Sequence, residues 1–310
     1  MISDKVHVIV NPFSARGKTG QRWNTIKEIV KDYFKDFKYI FTEKPRQATQ
    51  IAREILNDGF DLIIGVGGDG TLNEITNGFF KKNSASTINE GASLGVIPSG
   101  TGSDFIRFLK IPRDLQKSVE LIKSSAQRKI DVGRITFHQK DSLPTHQFFI
   151  NVADFGMGAE VIKTLSDVPS IKRGPFSYYK GLLKTLKHYS SKRVRIRIDD
   201  SEVIEGQFLI GAIANGRIFG GGMIIAPSAE PDDGYFDLVL VKDMKKLEII
   251  GNTPHLYRGT LEKHPKVIIK RARKIEIQSD EKVNIEYDGE LGSSLPASFE
   301  ILERKINFRI

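Results

Sequence analysis

The stretch Ile63 to Gly78, IIGVGGDGTLNEITNG, sets a single carboxylate, Asp69, among Gly65, Gly67, Gly68 and Gly70. Glycines in a turn between a strand and a helix leave backbone N–H groups open to a phosphate chain. A carboxylate in the same turn repels phosphate unless a divalent cation lies between them, so Asp69 implies magnesium. Gly65, Gly67 and Gly70 also fall in the G-x-G-x-x-G register of dinucleotide-binding turns. That fingerprint belongs after a first strand, with an acidic residue ending the second strand about 20 residues on. Here the turn follows the third predicted strand, and Glu90 lies in the loop STINEGAS, so the register match is accidental.

Two further loops offer small residues and free N–H groups: NPFSARGKTG after the first predicted strand and PSGTGSDF after the fourth. Gly17-Lys18-Thr19 resembles the end of a P-loop, but the glycine such a loop needs at position 12 is Pro12. EYDGEL places Asp288 and Glu290 on either side of Gly289; the residues alone favour an acidic hairpin turn over the base that a hydroxyl nucleophile requires. PDDGYF reads as a turn entering a strand. The six histidines show neither paired spacing nor a serine partner, which argues against zinc and against a histidine triad.

The first 130 residues alternate strand and helix patterns. Strands are predicted at 6–10, 37–42, 61–66 and 94–97, and helices at 20–34, 48–57, 72–80 and 114–123. The first helix directs Trp23, Ile26 and Val30 inward. This is a doubly wound parallel α/β domain, with its ligand loops at the carboxyl ends of the strands. From Asp131 the pattern becomes short alternating runs such as RVRIRID, YFDLVLV and VNIEY between turns. An antiparallel β-sandwich with two helices follows, giving domains 1–130 and 131–310, with the last residues free to return to the first domain.

The absence of cysteine excludes disulfide scaffolds and thiol nucleophiles and agrees with a reducing cytoplasm. The N-terminal residues show no signal-peptide pattern, and no apolar run approaches a membrane span. The expectation is a cytoplasmic protein, in peripheral contact with the inner face of the membrane. The net charge of +9 is uneven: Lys163 to Arg197 holds ten basic residues against one acidic, Asp167. In YYKGLLKTLKHY, helical spacing puts Tyr178, Tyr179, Leu182, Leu183, Leu186 and Tyr189 on one face and Lys180, Lys184 and Lys187 toward the other. Two readings stand: a surface helix docked on its own domain, or a surface meeting anionic lipid. No nucleic-acid module is present.

NPFSARG, GGDGTLNEITNGF, IPSGTGSDFIR, PDDGYF and YDGE, in this order over nearly the full length, resemble the soluble diacylglycerol kinase catalytic family of bacterial lipid kinases, related to sphingosine and ceramide kinases. The resemblance implies ATP against Asn11, Pro12, Phe13, Ser14, Ala15, Thr42, Gly67, Gly68, Asp69, Gly70, Thr71, Leu72, Asn73 and Thr101. It implies Mg2+ near Asp69, Asp104 and Asp131, a structural Mg2+ at Asp233 and the backbones of Glu230 and Tyr235, and Glu290 as general base beside Asp69 in catalysis. Ser103 stands where many members carry Asn. The expected activity moves the γ-phosphate of ATP to a lipid hydroxyl, diacylglycerol first, at the membrane surface; a homodimer is left open. Two rivals are an NAD kinase-like enzyme with a soluble substrate and a non-catalytic nucleotide-binding membrane sensor. The retained Asp69 and Glu290 argue against the sensor.

Overall fold

The computed structural model describes residues 5–100, 103–138, 143–165 and 175–310. The chain divides into two compact units, one of Met1–Asp131 with Arg304–Ile310 and one of Val132–Glu303.

The first unit runs β1 (Val6–Val10), α1 (Lys18–Gln21), α2 (Trp23–Tyr33), β2 (Phe37–Phe41), α3 (Gln47–Asn57), β3 (Leu62–Gly67), α4 (Asp69–Gly78), β4 (Ser93–Pro98), α5 (Asp104–Phe108), α6 (Leu115–Ser124) and the start of β5 (Gln127–Phe137). Its sheet is parallel in the order β4-β3-β1-β2, with Asn307 and Phe308 of the returning chain beside β4. Every residue of β3 and β4 is buried. Such strands need cover on both faces, which is why they read as unbroken apolar runs. Trp23, Ile26 and Val30 of α2 and Val119 and Ile122 of α6 pack with Val8, Val10, Ile64 and Val66 in one cluster. Helices α3 and α4 pack together, Gly78 of α4 lying so close to Ala52 of α3 that no Cβ would fit. The helix expected over 20–34 is two, broken at Arg22, whose φ of −92° and ψ of 1° leave the helical region.

The second unit contains β6 (Thr145–Phe149), β7 (Val152–Gly156), α7 (Met157–Leu165), α8 (Pro175–Thr185), β8 (Lys192–Ile198), β9 (Glu202–Ala214), β10 (Ile218–Phe219), β11 (Met223–Ile224), β12 (Phe236–Lys242), α9 (Lys246–Arg258), β13 (Val267–Ala272), β14 (Lys274–Gln278), β15 (Asn284–Tyr287), β16 (Glu290–Ser294) and β17 (Ala297–Arg309), the last leading back to the first unit. Its strands pair antiparallel in the order β16-β15-β7-β9-β8-β14-β17, and β12 joins β9 to β13. The long β9 changes neighbours midway: residues 202–208 pair with β8, whereas 210–214 pair with β7. The sandwich interior holds Phe149 stacked on Phe236 at 5.6 Å, with Phe155, Ile196, Leu238 and Phe299 in the same cluster.

Three helices are described in this unit where the sequence suggested two. The basic helix docks on its own unit: Leu186 is buried, and Leu182, Leu183 and Tyr189 pack against the cluster of Val152, Leu209 and Ala212. The helix ends at Thr185, so Leu186 and Tyr189 belong to the segment after it. Asp167, Lys172 and Arg173 lie outside the described residues, and the Tyr178 side chain is not described. Much of the remaining positive charge is met locally. Lys163 pairs with Glu160, Lys192 with Glu281, Arg195 with Glu205 and Arg197 with Glu276. No described helix is long and apolar enough to cross a membrane.

Candidate active site

Three loops of the first unit are tied by short polar links at the carboxyl ends of β1, β3 and β4. Asn11 donates its backbone N–H to Val66 O at 3.0 Å and its Nδ2 to Thr71 Oγ1 at 2.9 Å, which binds the first loop to the second. Its Oδ1 accepts the Phe13 N–H at 3.1 Å, turning Pro12 back over the strand end. Ala15 and Arg16 take left-handed φ of 51° and 61°, which tightens the turn before α1. The Ser14 and Thr19 hydroxyls lie 2.6 Å apart, and Thr19 Oγ1 reaches Ser99 Oγ at 2.5 Å, tying the first loop to the third. Thr19 and Ser99 had no assigned role in the sequence; their signal was only the small-residue character of the loops.

Glycine is required where these loops meet. A Cβ on Gly100 would stand 2.6 Å from Gly68 Cα, and one on Gly67 would strike the Thr71 hydroxyl. A Cβ on Gly70 meets no protein atom within 4 Å, so its absence leaves backbone open at the start of α4. Thr71, Leu72 and Asn73 follow in the first turn and are buried. Thr42 is buried after β2, its N–H held by Val10 O at 2.9 Å; Phe13 is exposed. Thr101 lies outside the described residues.

Asp69 is the first residue of α4, and its Oδ2 accepts the Asp104 N–H at 2.5 Å at the start of α5. The Asp104 carboxylate has Arg107 at 3.8 Å. Ser103 reaches this corner with a φ of 57°, a left-handed conformation that Asn adopts more readily than Ser. Two carboxylates beside a glycine-lined turn are a donor set of the kind that fits magnesium, which is held by one or two carboxylates together with substrate phosphates. Asp131, fully buried in β5, instead accepts the Arg304 N–H at 2.6 Å. Among the described residues no three acidic or histidine side chains form a complete protein cage.

The second cation site fits less well. Asp233, the side chain expected to hold the ion, accepts the Tyr235 N–H at 3.0 Å but is engaged by Arg271, and the Arg217 guanidinium lies nearby on the Glu230 carboxylate. Guanidinium groups of Arg271 and Arg273 lie 4.4 Å and 4.8 Å from the centre of the Tyr235 ring. These groups put positive charge where a cation would sit, so no role is derived through a metal there.

In the second unit, Tyr287 to Glu290 forms a two-residue hairpin turn, with Tyr287 paired to Glu290. Positive φ at both Asp288, 49°, and Gly289, 86°, is the mirror-type turn that suits twisted strands. Its strain is offset by clamps. The Asp288 carboxylate accepts N–H groups from Ile150, Asn151 and Val152 at 2.9, 3.0 and 3.2 Å. Glu286 Oε2 accepts the Gly289 N–H at 2.9 Å. Glu290 itself is exposed at the start of β16. Asp288 is thus a brace, whereas the Glu290 side chain is left exposed.

Glycine-lined loops on a parallel sheet, an acidic pair beside them and a following β-sandwich define a two-unit kinase. Residues 5–135 match the family model of the diacylglycerol kinase catalytic domain, and residues 151–308 match the YegS C-terminal NAD kinase beta sandwich-like domain. A diacylglycerol kinase of Staphylococcus aureus (strain JH9) is 35% identical over 267 residues, covering 86% of this chain and 79% of its own. The crystal structure of a candidate diacylglycerol kinase from Bacillus anthracis str. Sterne superposes with a TM-score of 0.79 at 25% identity, covering 98% of this chain and 94% of the other. Yeast NADH kinase complexed with NADH shares the fold alone, with a TM-score of 0.51 at 12% identity over 98% and 82% of the two chains. The protein belongs to the diacylglycerol kinase catalytic family.

Proposed function

We propose that the protein transfers the γ-phosphate of ATP to a lipid hydroxyl, with diacylglycerol as the first substrate and phosphatidic acid as the product. The observation that carries this reading is the junction of the three loops, in which Asn11, Thr71, Thr19 and Ser99 fix open backbone amides beside Asp69 and Asp104. Phosphoryl transfer asks chiefly for positioning and for charge neutralisation, and these loops supply the first. Magnesium held by Asp69, with Asp104 beside it, would supply the second by neutralising charge on the phosphates. The loop amides hold the phosphate chain, and Asp104 keeps the Asp69 carboxylate in one orientation. Glu290 takes the proton of the lipid hydroxyl as the new O–P bond forms and the bond to the bridging oxygen of ADP breaks.

A lipid acceptor is supported by the family relationship to a curated diacylglycerol kinase. Peripheral contact would use the exposed lysines of the basic helix, since its apolar side is already occupied by the unit's own core. The likeness to NADH kinase extends to fold only and supports no nicotinamide substrate. The test is a panel of diacylglycerol, monoacylglycerol, sphingosine, phosphatidylglycerol and NAD with labelled ATP and magnesium, the products separated by chromatography. Label in the diacylglycerol product supports the reading; label in NAD with none in lipid overturns it.

A further inference from the structure

Two acidic side chains stand directly opposite one another inside the second unit. Asp154 of β7 and Glu286 of β15 are register partners in an antiparallel pair, so their side chains share one face. Asp154 is fully buried and Glu286 nearly so, at 0% and 4% exposure. Asp154 lies beneath Gly158 at the start of α7, so closely that no Cβ could stand there. Like charges directly opposite on a sheet repel, and a buried carboxylate pair cannot hold two charges without severe cost. Burial raises the pKa of both groups, and the charge of Asp154 raises that of Glu286 further. One proton on the pair relieves the repulsion and forms a hydrogen bond between the two carboxyls.

The same Glu286 accepts the Gly289 N–H, one peptide before Glu290. Resting on the reading of Glu290 as base, we propose that Glu286 is a positioning residue for Glu290, held in place by a single proton shared with Asp154. When that proton leaves, two buried charges face each other, Glu286 withdraws, and the peptide joining Asp288 to Gly289 loses one of its two clamps. Glu290 then samples orientations away from the acceptor hydroxyl, and the rate falls while nucleotide binding persists.

The surroundings leave the pair as the group that titrates. The flanking cross-strand neighbours are Ala212 on β9 and Leu291 on β16, neither ionisable. Asp288 faces the pair from the turn as a further acidic group. The Tyr189 phenol, after α8, is raised by burial and by the charges of Asp154, Glu160 and Glu281, so it stays neutral as the pair ionises. On α7, Glu160 pairs with Lys163 and accepts Asn284 Nδ2 at 2.5 Å.

The test is kcat against pH for wild type, Glu286→Gln, Glu286→Leu and Glu290→Gln. Gln keeps both contacts, donating to Asp154 and accepting from Gly289, without needing the proton. It should retain kcat within about threefold and hold its rate to higher pH than wild type. Leu removes the Gly289 contact and should lower kcat about tenfold or more, with nucleotide KM little changed. Adding Glu286→Leu to Glu290→Gln should cost nothing further, because a positioning residue acts only through the base. Full kcat in Glu286→Leu, an alkaline limb unmoved in Glu286→Gln, or an additive loss in the double variant overturns the proposal. If Glu286→Leu does not fold, the Glu286→Gln pH profile decides alone. Wild-type turnover in Glu290→Gln overturns the base assignment itself, a separate outcome.

Discussion

The Asp69 carboxylate accepts the backbone N–H of Asp104 at 2.5 Å, joining the N-terminal turns of α4 and α5 by a charge-assisted contact. This contact fixes the carboxylate that the proposed phosphate loop contains. It is oriented by the neighbouring helix start, and Asp104 brings a second carboxylate to the same corner. Asp69→Asn retains an oxygen to accept that N–H but loses the charge. Magnesium-dependent turnover should fall about 10²-fold or more, while thermal unfolding changes little. Turnover near wild type in a folded variant removes Asp69 from the chemistry.

The glycines of the loops should separate by what a methyl group meets. Gly100→Ala drives a Cβ into the Gly68 backbone, so the loops must part and the first unit should melt at lower temperature. Gly70→Ala meets no protein within 4 Å, so stability should hold. Where phosphate lies against that backbone, affinity for ATP should drop about tenfold, roughly 1.4 kcal/mol. Calorimetric titration with a non-hydrolysable ATP analogue reads the second effect; unchanged affinity in Gly70→Ala contradicts phosphate contact there.

Asp288 accepts three backbone N–H groups, so replacing it leaves buried donors without an acceptor. Asp288→Ala should cost about 1–3 kcal/mol, and Asn, which tolerates the left-handed φ of 49°, should cost less. Denaturant unfolding measures both. Equal loss in the two variants would place the cost in the missing carboxylate charge and not in the backbone conformation.

The first unit was the more legible from sequence because its signals are local. Apolar runs stopped by glycine at the end of β3 and by Pro98 at the end of β4 marked those strands, and the spacing of Trp23, Ile26 and Val30 marked the buried side of α2. The break at Arg22 is a single non-helical residue inside an otherwise periodic segment, which periodicity does not register. In the second unit, α9 is the helix with the weakest sequence signal, because KLEIIGNTPHLYR carries Gly251 and Pro254, both poor helix formers, and buries only Ile249. The bracing role of Asp288 depends on Ile150 to Val152, and the opposition of Asp154 to Glu286 depends on strand register. Residues far apart in sequence gave no local trace of either.

The carboxyl pair also fixes the sign of one pH effect on stability. Both groups have raised pKa values in the folded state. Their contribution is therefore complete below the ordinary carboxylate range, near pH 4, and is lost as pH rises through the raised folded values. Glu286→Gln removes the Glu286 part of this titration and leaves Asp154 beside a neutral donor. The difference in melting temperature, wild type minus variant, should become more negative as pH rises through that window; a flat difference means that the pair shares no proton.

Peripheral docking predicts a contrast between substrates. Replacing Lys180, Lys184 and Lys187 by Gln should weaken binding to anionic vesicles, because each basic residue near such a surface contributes about 1 kcal/mol. Activity on vesicles should fall with it, whereas activity on a short-chain soluble diacylglycerol stays near wild type. Equal loss on both substrates returns the helix to a structural role.

The most direct measurement is the transfer of labelled γ-phosphate from ATP to diacylglycerol in mixed micelles with magnesium, comparing wild type with Glu290→Gln. A lipid kinase with Glu290 as its base gives labelled phosphatidic acid from wild type and a rate about 10²- to 10⁴-fold lower from the variant, with ATP affinity retained. No label in lipid from wild type, or equal rates from the two proteins, contradicts it.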